Sequence, residues 1–171
     1  DLTELHPRID LVIVDEAHYL RNQGTLSYEL GELLSDWADA LLFLSATPLN
    51  LGSSDLFNLL NLLAPDEFAD PHIFPLQLEP NRFLNRVAQH IYDHRDEPRQ
   101  LIPTLDAVRT CQLGQAVVSQ PEYLQLRDLL DADALGAEEI ASARRHLVEL
   151  NTLSSVLTRT RKVDVAEQKA V

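Results

Sequence analysis

Methionine is absent from the 171 residues, cysteine occurs once and glycine five times. The lone Cys111 has no partner for an internal disulfide or a thiolate metal site, so it reads as a small apolar residue in a strand. The glycines are unclustered and no Gly-x-x-x-x-Gly-Lys-Ser/Thr loop occurs, which excludes a complete phosphate-gripping loop in this stretch. The longest apolar runs, such as Leu11 to Val14 and Ala40 to Leu44, fall far short of the roughly 18 residues of a membrane span. No charged-then-apolar leader opens the chain. A soluble, cytoplasmic protein with no membrane partner is expected. The missing start residue, with a short polar stretch running straight into a strand, predicts a segment excised from a longer protein.

What is present is ordinary for a packed domain: 45% apolar and 24% charged residues over about one domain's length. The net charge of −13 argues against contact with phosphate backbones, because such affinity comes from Lys and Arg displacing counterions. Distribution qualifies this. From Arg144 to Val171 six basic residues face three acidic ones, so this segment is +3 and everything before it −16. Phosphate contacts from this chain are therefore expected in the last segment. Arginine outnumbers lysine twelve to two, a codon bias that leans toward a GC-rich bacterial source.

Ile9 to Val14 is a short β-branched run ending at acidic residues, the pattern of a buried parallel strand near its carboxyl end. Gly24 to Ser35 reads as a helix with Leu26, Leu30, Leu33 and Leu34 on one face. Ala40 to Leu44 reads as a second strand ending at Ser45. A strand–helix–strand unit makes the two strands parallel with a right-handed crossover, and delivers both carboxyl ends to the edge where α/β sheets bind ligands. Further along, Ser53 or Ser54 is positioned to cap a leucine-rich helix that Pro65 stops. The four prolines from Pro65 to Pro80 mark a surface connection or hinge. Helices are predicted over Pro80 to His94, from Pro121, and over Ala137 to Thr158, with a strand at Ala107 to Leu113.

The chemistry concentrates at two strand ends. Asp15-Glu16-Ala17-His18 follows the first strand. ATP hydrolysis needs Mg²⁺ beside the β- and γ-phosphates and a water oriented for in-line attack, and two adjacent carboxylates divide those tasks. Asp15 is the candidate metal holder, through water, and Glu16 the candidate base. Ser45-Ala46-Thr47-Pro48 ends the second strand, so Ser45 and Thr47 are expected beside His18. A histidine bonded to those hydroxyls senses the γ-phosphate and couples it to the nucleic-acid side. Taken alone, an Asp-Glu pair reads better as a solvated strand terminus and Ser-Ala-Thr-Pro as a plain turn; their order on adjacent strands favours the motor chemistry.

Three segments, Val12 to Asn22, Leu42 to Asn50 and Asp55 to Phe68, resemble motifs II and III and the following helix of Swi/Snf-type superfamily 2 helicase/ATPases, including Asn22 and the Leu-Leu-x-Pro-x-x-Phe ending. A second likeness, at Thr158 to Val165, is to the basic segment leaving the family's first motor lobe. The resemblance implies an α/β fold: the carboxyl-terminal part of a RecA-like parallel-sheet lobe of the P-loop NTPase type, with a mostly helical extension. It divides the chain into a partial ATP-binding lobe (1–68), an enlarged helical region (69–157) and a basic linker (158–171) toward a second lobe. It also implies ATP and Mg²⁺ as cofactors of the full-length protein, double-stranded DNA as partner, and Arg159, Arg161 and Lys162 as nucleic-acid or linker contacts. The expected activity is DNA translocation driven by ATP hydrolysis, with this fragment inactive alone. The alternatives are a restriction-system motor, an RNA helicase, or a non-catalytic module whose helical region docks a protein. His90 and His94 have metal-ligand spacing, but Asp93 stands where the inverted zinc-protease motif needs glutamate, and a solvated polar helix face fits the pattern better.

Overall fold

A computed structural model describes residues 8–45 and 52–157. The chain divides into two compact units, residues 1–75 and 76–171.

In the first unit, β1 (Val12–Val14) pairs in parallel with β2 (Leu41–Phe43), Val12 opposite Leu41 and Val14 opposite Phe43. Both strands are shorter than their sequence runs; Ile9 reaches the pairing only through an isolated parallel bridge to Ala38. Parallel strands cannot be joined by a tight turn, and the crossover is α1 (Leu26–Trp37). It starts two residues later than the sequence suggests. Gly24 takes a left-handed backbone (φ 75°) and Thr25 caps, its hydroxyl oxygen accepting from the Tyr28 amide at 3.3 Å.

The inward face of α1 is not the leucine stripe. Leu26 is 85% and Leu30 51% exposed, whereas Tyr28 and Gly31 are buried. Gly31 is the reason, because a Cβ there would lie 2.9 Å from Leu62 Cδ1 and 3.5 Å from Leu20 Cδ1. The helix is drawn in along its smallest residue, and Leu20, Tyr28, Leu59 and Leu62 close a small core with Val14 and Phe43 against it. In α2 (Ser53–Leu63) neither Ser53 nor Ser54 is the cap: Gly52 takes that position with extended backbone, and Ser53 is already helical. Pro65 follows the end of α2 as expected. Asn61 holds the turn beyond it by donating to the Phe68 carbonyl at 2.8 Å.

The regular elements described in the second unit are all helical: α3 (Phe74–His90), which begins two residues before it, then α4 (Ile102–Asp106), α5 (Gly114–Val118), α6 (Pro121–Leu130) and α7 (Ala137–Glu149). Helix α3 begins six residues before the expected start and carries Pro80 within it. It also ends at His90, so His90 and His94 do not share a helix face; their rings meet edge-on at 6.1 Å, and no metal-holding group of three side chains exists among the described residues.

The strand expected at Ala107 to Leu113 is absent. That stretch is a 3-10 turn (Ala107–Thr110) followed by Cys111 in a bend. Burial there runs Leu105, Val108, Cys111, a spacing of three, so the period is helical rather than alternating. Burial raises the Cys111 thiol pKa, assisted by Glu79 and opposed by Arg82.

Helix α7 stops nine residues before the expected Thr158. Asn81, the buried polar side chain of this unit, accepts from the Thr152 amide (3.0 Å) and donates to its hydroxyl (2.8 Å). Asn151 Oδ1 takes the Leu153 amide at 3.0 Å. These side chains offer the backbone partners that helix continuation would otherwise supply. Leu150 and Leu153 stay buried as the stripe predicted, but on a turn. No described helix is long and apolar enough to cross a membrane.

Candidate functional site

The chain leaves β1 at Val14 and enters a 3-10 turn, Ala17–Leu20, through Asp15 and Glu16. Asp15 Oδ1 accepts the Glu16 amide at 2.8 Å. Glu16 sits at φ 53°, ψ 42°, the one non-glycine residue at positive φ among those described. A left-handed backbone at a residue that carries a Cβ costs free energy, and residues held that way concentrate at functional sites. Both carboxylates are exposed; Ala17, between Glu16 and His18, is buried and anchors the turn.

The anchor reaches the second strand. Leu44 continues the parallel pairing by donating to the Val14 carbonyl (2.9 Å), and its own carbonyl accepts the Ala17 amide (2.9 Å). Ser45, the next residue, therefore enters at the edge that carries Asp15, Glu16 and His18. Thr47 lies outside the described residues, as do Arg159, Arg161 and Lys162.

His18 is mostly covered, with its Nδ1 3.1 Å from Glu16 Oε2. That contact lacks hydrogen-bond alignment, and Nδ1 is a buried polar atom without a hydrogen-bond partner. The ring lies against Tyr19 at 4.3 Å between centroids. A buried ring nitrogen without a hydrogen bond is costly, and the Glu16 carboxylate is the group set beside it.

The donor set fits magnesium. Mg²⁺ takes oxygen ligands, keeps several waters and uses one or two carboxylates, and two exposed carboxylates at one strand end meet that requirement.

Three residues to which sequence reasoning assigned no role complete the surroundings. Arg21 Nη1 donates to the His18 carbonyl at 3.1 Å, Arg21 Nε lies 3.4 Å from Asp55 Oδ2, and Asn58 Nδ2 donates to the Arg21 carbonyl at 2.7 Å. The available signal was the i, i+3 spacing of Asp55 and Asn58 on one helix face.

A family profile described as the SNF2-related domain matches residues 1–169. The chain belongs to that family. As an SNF2-related domain, it is a fragment of the Swi/Snf-type superfamily 2 helicase/ATPase group. Among curated relatives, RNA polymerase-associated protein RapA of Pasteurella multocida (strain Pm70) is 32% identical over 148 residues, covering 85% of this chain and 14% of that protein. RapA of Pseudomonas putida (strain GB-1) is 37% identical over 137 residues, covering 74% of this chain and 14% of the relative. RapA of Pseudomonas aeruginosa (strain LESB58) is 38% identical over 88 residues, half of this chain and 9% of the relative. This SNF2-related domain thus spans about one seventh or less of the relatives it matches. No solved structure matches it significantly.

Proposed function

We propose that this chain is part of the first RecA-like lobe of an ATP-driven translocase on double-stranded DNA, and that it supplies the metal-and-water side of the ATP site. The observation that carries the reading is the link between Ala17 and Leu44, which holds the Asp15–His18 turn to the end of a parallel neighbour strand. Asp15 would hold Mg²⁺ when the metal is bound, and Glu16 would orient and deprotonate the water that attacks the γ-phosphate. The metal, when bound, neutralises charge developing on the phosphates. His18, with its unsatisfied Nδ1, couples the nucleotide state to Ser45 and Thr47. The phosphate-gripping loop comes from another part of the full-length protein, so the fragment alone does not turn over ATP.

Membership in the SNF2 family supports ATP and Mg²⁺ as cofactors and DNA as the track. The relatives' description as RNA polymerase-associated supports a protein partner of that class for the parent and a cytoplasmic setting; the helical unit is the contact proposed for it. Arg159, Arg161 and Lys162 contribute phosphate contacts on the way to the second lobe.

The test is Glu16→Gln in the full-length protein. ATP binding stays near wild type while turnover falls at least about 10²-fold, the scale of losing a general base. Unchanged turnover removes Glu16 from the mechanism.

A further inference from the structure

The Asp15–His18 turn is held at its far end by Arg21, and the geometry is that of a brace. A four-residue 3-10 turn leaves its last carbonyls short of partners. The Arg21 amide reaches the His18 carbonyl only at 3.4 Å, and the Arg21 guanidinium completes the satisfaction of that oxygen at 3.1 Å. The same guanidinium faces the Asp55 carboxylate, and the Arg21 carbonyl takes the Asn58 amide. Asp55 and Asn58 stand one turn apart on α2, so a single helix face grips the residue from both its side chain and its main chain. With Ala17 tied to Leu44, the turn is fixed at its start to β2 and at its end to α2.

We propose that Arg21 is a positioning residue for hydrolysis, with Asp55 and Asn58 as its anchors, and that it sets where the Glu16 carboxylate and His18 stand relative to the nucleotide. The proposal rests on the reading of Glu16 given above. Arg21 touches the His18 backbone and neither reacting group, so its effect passes through the turn. A purely stabilising role predicts something different. Arg21 and Asp55 are each about one third exposed, and ion pairs open to solvent contribute little to stability. Arginine is specifically suited here, because a planar fork meets the carbonyl and the carboxylate together, whereas a lysine ammonium is a point charge on a flexible stem.

The experiment compares Arg21→Ala, Arg21→Lys, Asp55→Asn and the double variant Arg21→Ala/Asp55→Asn in the full-length protein, alongside Glu16→Gln. Steady-state ATPase kinetics with saturating duplex DNA and thermal unfolding are measured on each. Arg21→Ala is expected to lower kcat about 10- to 100-fold, the scale at which a displacement of about 1 Å acts on catalysis. KM for ATP stays within about twofold, because binding in the ground state is untouched. Asp55→Asn and Arg21→Lys fall between that variant and wild type, and the double variant is no worse than Arg21→Ala, since both changes remove one brace. Unchanged kcat, a kcat loss matched by loss of folded protein, or additive effects in the double variant overturns the proposal. If Glu16→Gln abolishes turnover while Arg21→Ala does not, only the brace fails; if Glu16→Gln leaves turnover intact, the reading of the site fails and the brace with it.

Discussion

The Glu16 carboxylate lies 3.1 Å from His18 Nδ1, and Glu16, the residue that caps the 3-10 turn, is held in the left-handed region. Reaching that position requires Glu16 to carry a Cβ at φ 53°, which costs about 1–2 kcal/mol. Glycine has no such penalty, although it loses roughly 0.5–1 kcal/mol of backbone entropy relative to alanine elsewhere. Glu16→Gly is therefore expected to be more stable than Glu16→Ala by about 1 kcal/mol, the reverse of the usual order. Urea denaturation of the two variants measures this directly, and alanine at or above glycine in stability shows that the turn stores no strain.

Tyr123 donates to Asp106 at 2.6 Å, and Arg127 and Arg109 face the same carboxylate. Burial, then the Asp106 hydrogen bond, raises the Tyr123 pKa from 10 to about 12. The unfolded chain releases the phenol proton first, so this contribution is complete below pH 10 and is lost as pH rises toward about 12. The shift is worth at most roughly 3 kcal/mol. Burial also acts to raise the Asp106 pKa, but the Tyr123 hydroxyl and Arg127 outweigh it and the net shift is downward. That contribution is present above the ordinary carboxylate value and lost as pH falls through the lowered one. In a stability-versus-pH series Tyr123→Phe flattens the alkaline limb between pH 10 and 12; an alkaline limb as steep as wild type places the transition on other groups.

How much of this was legible depended on whether local pattern and tertiary packing agreed. The parallel pairing of β1 and β2, and the shared edge for Asp15, Glu16, His18 and Ser45, followed from a β-branched run and an all-apolar run separated by a helix-length stretch. The face of α1 was misread because four leucines outweigh one glycine in any apolar count, while close approach at Gly31 outweighs them in packing. Ala107 to Leu113 is a short, partly apolar run bounded by no helix signal of its own, and only the burial of Leu105 together with Val108 and Cys111 reveals the spacing of three. The end of α7 depends on Asn81, about 70 residues earlier in sequence, which no local window contains. Within the site, Arg21 was overlooked for the same reason, since its anchors Asp55 and Asn58 lie on another element.

Two glycines separate flexible from rigid obstruction. A Cβ on Gly31 meets the end of the Leu62 side chain at 2.9 Å, which can rotate away. A Cβ on Gly114 meets the Val108 carbonyl oxygen at 1.9 Å, where backbone itself has to move. Gly31→Ala is expected to cost about 1 kcal/mol or less, and Gly114→Ala about 3 kcal/mol or more, the range in which overpacking against fixed atoms falls. Chemical denaturation of the two variants checks the order; equal costs show that the 107–114 turn opens freely.

The basic segment gives the last prediction, and it rests on the proposed function rather than on geometry, because Arg159, Arg161 and Lys162 lie outside the described residues. From Arg144 onward the chain carries +3, against −16 before it. Binding to a phosphate backbone needs local positive excess, since each neutralised phosphate releases counterions from the duplex. If these three residues touch DNA, neutralising all of them in the full-length protein weakens binding and flattens the slope of log affinity against log salt by about 0.9 for each phosphate no longer neutralised. Basal ATPase without DNA changes little, because the carboxylates of Asp15 and Glu16 belong to another segment, whereas DNA-stimulated turnover falls. Filter binding of a duplex across a salt series, with ATPase assays in parallel, separates this from an ordinary charged chain end, which would leave both the slope and the stimulation as they are in the wild type.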